Sequence, residues 1–429
     1  MSSLFLSWNR LPHLRPAEIY SLDMPVLPKG ISTSVFTVQG NARSYGDVCL
    51  TEKGILLKTL GLNKFISFDR KNGILRCYAG TKLSDILALV VPHGWFLSTT
   101  PGTALITVGG AIANDVHGKN HHVAGTFGHH VNKMELLRSD GSRLILSPQE
   151  NKELFAATVG GLGLTGLITW AEIQLMPIHN PLMWTENRSF RDLDEYWELN
   201  QAMQPLWPCS ASWIDCLSSG RGVMFLGRHA SAVEQPFPSV GHNWRVPFEM
   251  PLSLVNNLSV KAFNTLYYYK NRTNKTGLTG YKPFFYPLDG IYDWNRIYGY
   301  RGFYQYQCVF PPHSEKEGIR KLLAAINHSG QGSFLAVLKS FGDIPSIGML
   351  SFPRAGTTLA LDFPNKGNVT SRLFSRLDAI VNEYQGVLYP GKDARMPGSL
   401  FRSHYPQWEA FSAFIDSKFS SHFWERVTK

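Results

Sequence analysis

The densest set of residues able to do chemistry lies between positions 101 and 122, where Pro101-Gly102-Thr103 and Thr107-Val108-Gly109-Gly110 lead through Asn114-Asp115-Val116 to His117-Gly118-Lys119-Asn120. Glycines at this density leave backbone N–H groups open to a ligand, as a pyrophosphate requires. The spacing is neither GxxxxGK[ST] nor a GxGxxG after a strand, so it is neither a Walker A loop nor a Rossmann turn. Tight turns in a glycine-rich sheet would have the same composition. A second cluster, Gly40-Asn41-Ala42-Arg43-Ser44-Tyr45-Gly46-Asp47, joins a flexible turn to a permanent cation, a hydroxyl and a phenol, which suits a phosphate and an aromatic ring or simply a surface turn. A third, over 159–166, carries Gly160, Gly161, Gly163 and Gly166 and also reads as packing turns. In a fourth, Tyr389-Pro390-Gly391-Lys392-Asp393, Lys392 sits in a Pro-Gly turn beside an acid, where a solvated loop lysine is the plain alternative. Five histidines between His117 and His130 raise the question of a metal, but no HExxH frame or nearby cysteine accompanies them. No metal is expected, and a hydrogen-bonding or acid-base role suits such a histidine better.

The elements that must position these residues change texture along the chain. Residues 34–177 are rich in glycine and short strand-like runs. They include an amphipathic helix over 82–91, where Leu83, Ile86, Leu87 and Val90 recur at helical spacing before Pro92 and Gly94 end it. Asp140-Gly141 joins two short runs as a hairpin, and Ser147-Pro148-Gln149-Glu150 has the N-cap, first-turn proline and capping-box acid of a helix reaching about Val159. Further on, the pattern predicts strands over 303–310, 333–338, 357–363 and 387–389. Helices are predicted after Ser314 and over 370–384, the latter closed by Gly386. This β-α-β-β-α-β order suits an antiparallel sheet with helices on one face.

The chain has 429 residues, about three domains' worth or one large two-domain enzyme, and its 44% hydrophobic and 17% charged residues exclude disorder. No apolar run is long enough to cross a bilayer, and the first residues lack a clean signal-peptide layout, so a cytoplasmic protein, at most peripheral on the inner face of the membrane, is expected. Five scattered cysteines without a CxxC pair argue against a disulfide framework. Lys and Arg number 42 against 32 Asp and Glu, a formal charge of +10 that favours anionic partners. No helical basic stripe or RNP motif points to nucleic acid. From 251 to 288 there is no acid at all, while Lys261, Lys270, Arg272, Lys275 and Lys282 interleave with tyrosines and phenylalanines, as an anionic membrane surface or a phosphate-bearing chain would favour.

Taken together, GNARSYGD, PGTALITVGGAIANDVHGKNHH, ATVGGLGLTGLI, YPLDGIYDWNR, FYQYQ and YPGKDAR resemble the vanillyl-alcohol-oxidase (PCMH-type) family of FAD-dependent oxidoreductases, in its branch that oxidises polyprenylphosphoryl ribose. The resemblance implies an α+β fold. A two-subdomain FAD-binding domain would be built from residues 1–177 and 389–429, with a substrate domain, an antiparallel sheet covered by helices, inserted at 178–388. Carried over by position, FAD would be lined by Gly40, Asn41, Ala42, Arg43, Ser44, Tyr45, Gly46 and Asp47 and by Pro101, Gly102, Thr103, Thr107, Val108, Gly109 and Gly110. Asn114, Asp115, Val116, His117, Gly118, Asn120, Ile168, Tyr389 and Lys392 would complete its site. Lys119, Gln305, Gln307, Lys339, Phe285 and Trp213 would meet substrate, and Lys392, Tyr45 and His117 would be catalytic. Arg43 stands where many relatives attach FAD covalently through histidine, so the flavin is expected to be dissociable. Ala360, Phe285 and Ala211 stand where mycobacterial members have cysteine, tyrosine and serine. The implied reaction takes the C2 hydroxyl of a polyprenylphosphoryl ribose to a ketone, the first half of an epimerisation that a partner short-chain reductase completes. A soluble aldonolactone or alditol oxidase of the same fold is the alternative.

Overall fold

The computed structural model describes residues 7–28, 35–231, 244–251 and 253–429. Residues 1–6, Ser34 at the start of the glycine-rich region and Leu252 of the acid-free stretch lie outside them. Strands β1 (Glu18–Ser21), β2 (Phe36–Gln39) and β3 (Ile55–Lys58) form a parallel sheet in the order β1-β3-β2. The central run Ile55, Leu56 and Leu57 is buried throughout, as a strand covered on both faces requires. A six-stranded antiparallel sheet follows, from β4 (Phe65–Asp69), β5 (Ile74–Tyr78), β6 (Trp95–Leu97), β7 (Val131–Leu137), β8 (Arg143–Leu146) and β9 (Leu167–Pro177). Against it α1 (Leu83–Val90) buries Leu83, Ile86, Leu87 and Val90, and Gly94 at φ +77° ends the turn that follows. The expected hairpin is β7–β8, with Gly141 in its turn.

Two short helices, α2 (Val108–Ala113) and α3 (His121–Ala124), carry the glycine and histidine blocks. The next helix, α4 (Lys152–Thr158), starts later than its sequence signature. Ser147 Oγ accepts from the amides of Gln149 and Glu150 in a local turn, and Asn151, at φ +49°, redirects the chain before the helix begins.

The later region is organised by an eight-stranded sheet of β10 (Leu182–Phe190), β11 (Cys209–Ile214), β12 (Gly222–His229), β14 (Lys275–Gly280), β16 (Phe303–Phe310), β17 (Ala336–Phe341), β18 (Gly356–Pro364) and β19 (Val387–Leu388). Its order is β14-β10-β12-β11-β17-β18-β16-β19, antiparallel at every pairing, while the two-residue strands β13 (Trp244–Arg245) and β15 (Ile291–Tyr292) pair separately. One face carries α5 (Leu193–Met203), α8 (Glu315–Ser329) and α9 (Asn368–Glu383), whose Tyr196, Leu322 and Leu377 join the largest core cluster. Period-two alternation divides β18: Leu359, Leu361 and Phe363 face this core, and Thr358 and Ala360 face a cleft on the other side. The β-α-β-β-α-β order is present with local differences. Ser314 donates to the Tyr384 carbonyl at 2.6 Å rather than capping α8. β17 begins at Ala336 because Ser333 Oγ accepts from the amides of Leu335 and Asp362, and the left-handed residue after α9 is Gln385, not Gly386.

Between β12 and β16, α6 (Asn257–Asn271) and α7 (Tyr281–Phe285) carry the acid-free stretch. After β19, α10 (Gly398–His404), α11 (Trp408–Ser412) and α12 (His422–Thr428) bring the chain back to β2, where the Phe36 amide donates to the Lys418 carbonyl at 2.6 Å and Ser420 donates to the Phe36 carbonyl at 2.9 Å. The two large antiparallel sheets, with helices packed on them and a small parallel sheet beside them, make the molecule α+β.

Candidate active site

A cleft of about 650 Å³ runs between the glycine turns of the first region and the open face of the eight-stranded sheet. Gly40 to Tyr45, Pro101, Gly102, Thr103, Thr107, Gly109, Gly110, Asn114 and Ile168 line one side. Trp213, Gln305, Gln307, Lys339, Tyr389 and Lys392 line the other, and Val116, His117, Gly118 and Lys119 join the two. The glycines do not all serve the same purpose. A Cβ on Gly40 would stand 2.3 Å from Thr107 Oγ1, so that glycine permits packing, whereas a Cβ on Gly102 would meet nothing within 4 Å and would project into open space.

Within the cleft, Lys392 Nζ sits 3.8 Å from the centroid of the Tyr45 ring. Burial lowers the lysine's proton affinity and Asp362 opposes that effect. Tyr45 packs edge-on to Phe303, and burial, reinforced by Asp362, holds its phenol well above the ordinary range. It therefore keeps its proton at physiological pH. His117 Nδ1 is 2.7 Å from Lys339 Nζ and its Nε2 is 3.3 Å from Gln307 Nε2, while Lys339 also donates to the Gly118 carbonyl at 2.8 Å. Burial and then Lys339 push His117 well below the ordinary imidazole range, so the ring is neutral and its single lone pair accepts from one of these two N–H groups. Lys119 donates to the Phe285 carbonyl at 3.3 Å and is lowered to about 8 by burial. Trp213 Nε1 is tied to the Phe334 carbonyl at 2.9 Å.

Six expected site residues do not line the cleft. Asp47, fully buried, holds His422 Nδ1 at 2.7 Å and Arg426 Nη2 at 2.8 Å, fastening α12 behind the first turn. Gly46 runs so close to the Asp393 carbonyl that a Cβ would overlap it. Val108 is in the core, Asp115 accepts from Gly128 N and Ser351 Oγ, and Asn120 donates to the Ser98 carbonyl at 2.7 Å. Phe285 packs with Phe96 and Phe284 and reaches the cleft only through its carbonyl on Lys119. The histidines separate in the same way: His122 binds the Trp207 carbonyl, His130 the Ala124 carbonyl, and His129 Thr126. Two acids at the site are not among the expected site residues, Asp289 within the motif YPLDGIYDWNR and Asp362 outside every motif. Asp289 accepts from the Ala104 amide at 2.7 Å and faces Arg43, and Asp362 accepts from Gln305 Nε2 at 2.6 Å. Alternation along the Gln305–Gln307 strand and its pairing to 357–363 is the signal that would have found Asp362.

The cleft's residues fit a flavin dinucleotide. Arg43, stacked 4.1 Å over Trp8, keeps a buried Nε without partner, and Asn114 Oδ1 beside the glycine turn is likewise unpartnered. Such orphaned polar groups in a long cleft beside a side-chain-free turn call for a polar ligand. A family model described as an FAD binding domain matches residues 32–147. The chain is 32% identical to the decaprenylphosphoryl-beta-D-ribose oxidase of Mycolicibacterium smegmatis over 94% of its length and 91% of that protein. It is 30% identical to an uncharacterized protein in the mprA 5' region of Streptomyces coelicolor, over 77% of this chain and 93% of that one. Identity to the mouse L-gulonolactone oxidase is 26%, over 40% of this chain and 39% of that enzyme. Fold, cleft and matches define an FAD-dependent oxidoreductase. Within that class, the chain belongs to the decaprenylphosphoryl-β-D-ribose oxidase family.

Proposed function

We propose that the chain oxidises the C2 hydroxyl of a polyprenylphosphoryl ribose to a ketone, the first half of an epimerisation to the arabinose form that a partner short-chain reductase completes. The observation that carries this reading is the set of polar side chains lining the cleft, Lys119, Lys339, Lys392, Gln305 and Gln307, with Lys339 and Gln307 meeting at His117. Lysines suit a phosphate and glutamine amides suit sugar hydroxyls. In this reading residues 1–177 and 389–429 form the FAD-binding domain and 178–388 the substrate domain, supported by the return of the C-terminal chain to β2. The amides around Gly102, Gly109 and Gly110 with Arg43 and Asn114 hold the dinucleotide, without a covalent bond because Arg43 offers no nucleophile. The bound flavin supplies the acceptor for the hydride that leaves the alcohol carbon. Lys392, as an ammonium, donates to the sugar oxygen and stabilises negative charge developing nearby. Tyr45 and His117 position rather than take the hydroxyl proton, since the phenol holds its own and the buried imidazole, driven well below its ordinary range among N–H donors, is a weak base. That proton leaves to solvent.

The prenyl chain and an anionic membrane surface meet at α6. Phe263 and Tyr267 turn toward the cleft, and Leu258, Leu266 and Tyr269 lie exposed on the helix, flanked by Lys261 and Lys270. An outward apolar stripe edged with lysines is what an interfacial helix needs. Among the described residues no helix is long and apolar enough to cross a membrane.

The purified yellow protein, mixed anaerobically with a prenylphosphoryl ribose, is expected to lose its flavin colour. No bleaching by that compound, with rapid bleaching and peroxide formation from a free aldonolactone, would replace the lipid-sugar reading by the soluble oxidase.

A further inference from the structure

Asp362 is an acid with no motif signal, no exposure and an unfinished set of partners. It lies on β18 opposite Gln305 of β16, in a register that also sets Ala360 opposite Gln307, so both pairs face the cleft side of the sheet. Its Oδ1 accepts from Gln305 Nε2 at 2.6 Å, while its Oδ2 is buried without a partner. The backbone amide of the same residue donates to Ser333 Oγ at 3.0 Å, which fixes the stretch of strand that carries it. A buried half-satisfied carboxylate is costly unless a positive charge lies nearby.

The groups around it identify that charge. Lys392, on the turn after β19, stands over the Tyr45 ring and lines the cleft beside Gln305, whose amide binds Asp362; burial raises the Asp362 carboxyl and lowers Lys392, and each charge opposes that effect in the other. Of the other charges near this turn, Asp393 is taken by Arg426 and Arg395 by Asp378. Tyr45 and Tyr298 also face Asp362, but both phenols are driven upward and stay neutral. His117, whose depressed proton affinity Lys392 also favours, is neutral and lies against Lys339 and Gln307. Among these groups, Asp362 and Lys392 remain as the opposed pair.

We propose that Asp362, oriented by Gln305, is a positioning residue whose carboxylate supplies the counter-charge that holds the Lys392 ammonium over the Tyr45 ring at the reacting end of the cleft. The inference rests on the reading of Lys392 as the cation beside the flavin. It adds that the cation is maintained by a particular acid rather than by solvent. Without that acid a buried lysine loses its proton more readily.

The test uses the FAD-loaded protein without substrate, by titrating the visible absorption of the bound flavin with pH. The expected result is a transition in the wild type that Lys392→Met abolishes and that Asp362→Asn moves to lower pH by about one unit or more, since a buried ammonium without its partner charge is disfavoured. Should Asp362→Asn fail to fold or to hold FAD, Gln305→Leu, which frees the carboxylate from its tie, is expected to move the transition in the same direction by less. A transition that stays in place in whichever variant folds would overturn the proposal. If Lys392→Met leaves the wild-type transition intact, the placement of Lys392 beside the flavin fails instead. Because no substrate is added, a wrong choice of sugar leaves this result unaffected.

Discussion

At the scale of single residues, the site is governed by how burial sorts proton affinities. Lys119 shows the sign clearly. Its folded-state affinity is lowered to about 8 from 10.5, so between those values the unfolded chain binds more protons and stability rises with pH. Lys119→Met is therefore expected to melt at a higher temperature than wild type at pH 7, with the difference shrinking as pH approaches 10.5 in paired thermal melts. A constant difference across that window would mean the lysine's charge is not what burial penalises. Lys392 and His117 could be read from motifs because each sits in a run of distinctive neighbours, whereas Lys339 could be expected only through the resemblance. Asp362 could not, since a lone acid in the apolar run TTLALDFP says nothing until its partner Gln305, far away in sequence, is placed opposite it by strand register.

Elements were legible where local signals and tertiary contacts agreed. The helix of Leu83–Val90 has its apolar face, its terminating proline and its left-handed glycine in one short segment, and it folds where the pattern puts it. The signature at Ser147 misleads because a serine that can cap a helix can equally close a turn, and the left-handed Asn151 decides between them. Both glycine clusters read as ligand turns in sequence, yet packing claims Gly40 and Gly46 of the 40–47 turn while Gly102 of the 101–122 block opens to the cleft. Helix α6 gives this scale its prediction. The paired change Leu258→Glu and Leu266→Glu is expected to weaken binding to anionic phospholipid vesicles at least about tenfold in a sedimentation assay, with the flavin spectrum unchanged, because two exposed apolar anchors are replaced by charges the surface repels. Equal binding of variant and wild type would remove α6 from the membrane contact.

For the whole molecule, the decisive feature is that the segment after β19 returns to the first sheet. Residues 418–420 hydrogen-bond to Phe36, and α12 is fastened by Asp47 through His422 and Arg426, so the turn carrying Arg43 and Tyr45 is braced from behind by the C-terminus while Lys392 reaches it from the front. Composition and periodicity could not show this closure, because it joins segments that share no local pattern. The motif order alone suggested it, through resemblance. The central claim is that this braced cleft grips FAD by amides, Arg43 and Asn114 rather than by a covalent bond. Acid precipitation of the purified protein tests it most directly. Yellow FAD in the supernatant is the predicted result, and a chromophore that stays with the pellet, or a colourless protein that added FAD cannot restore, would contradict it.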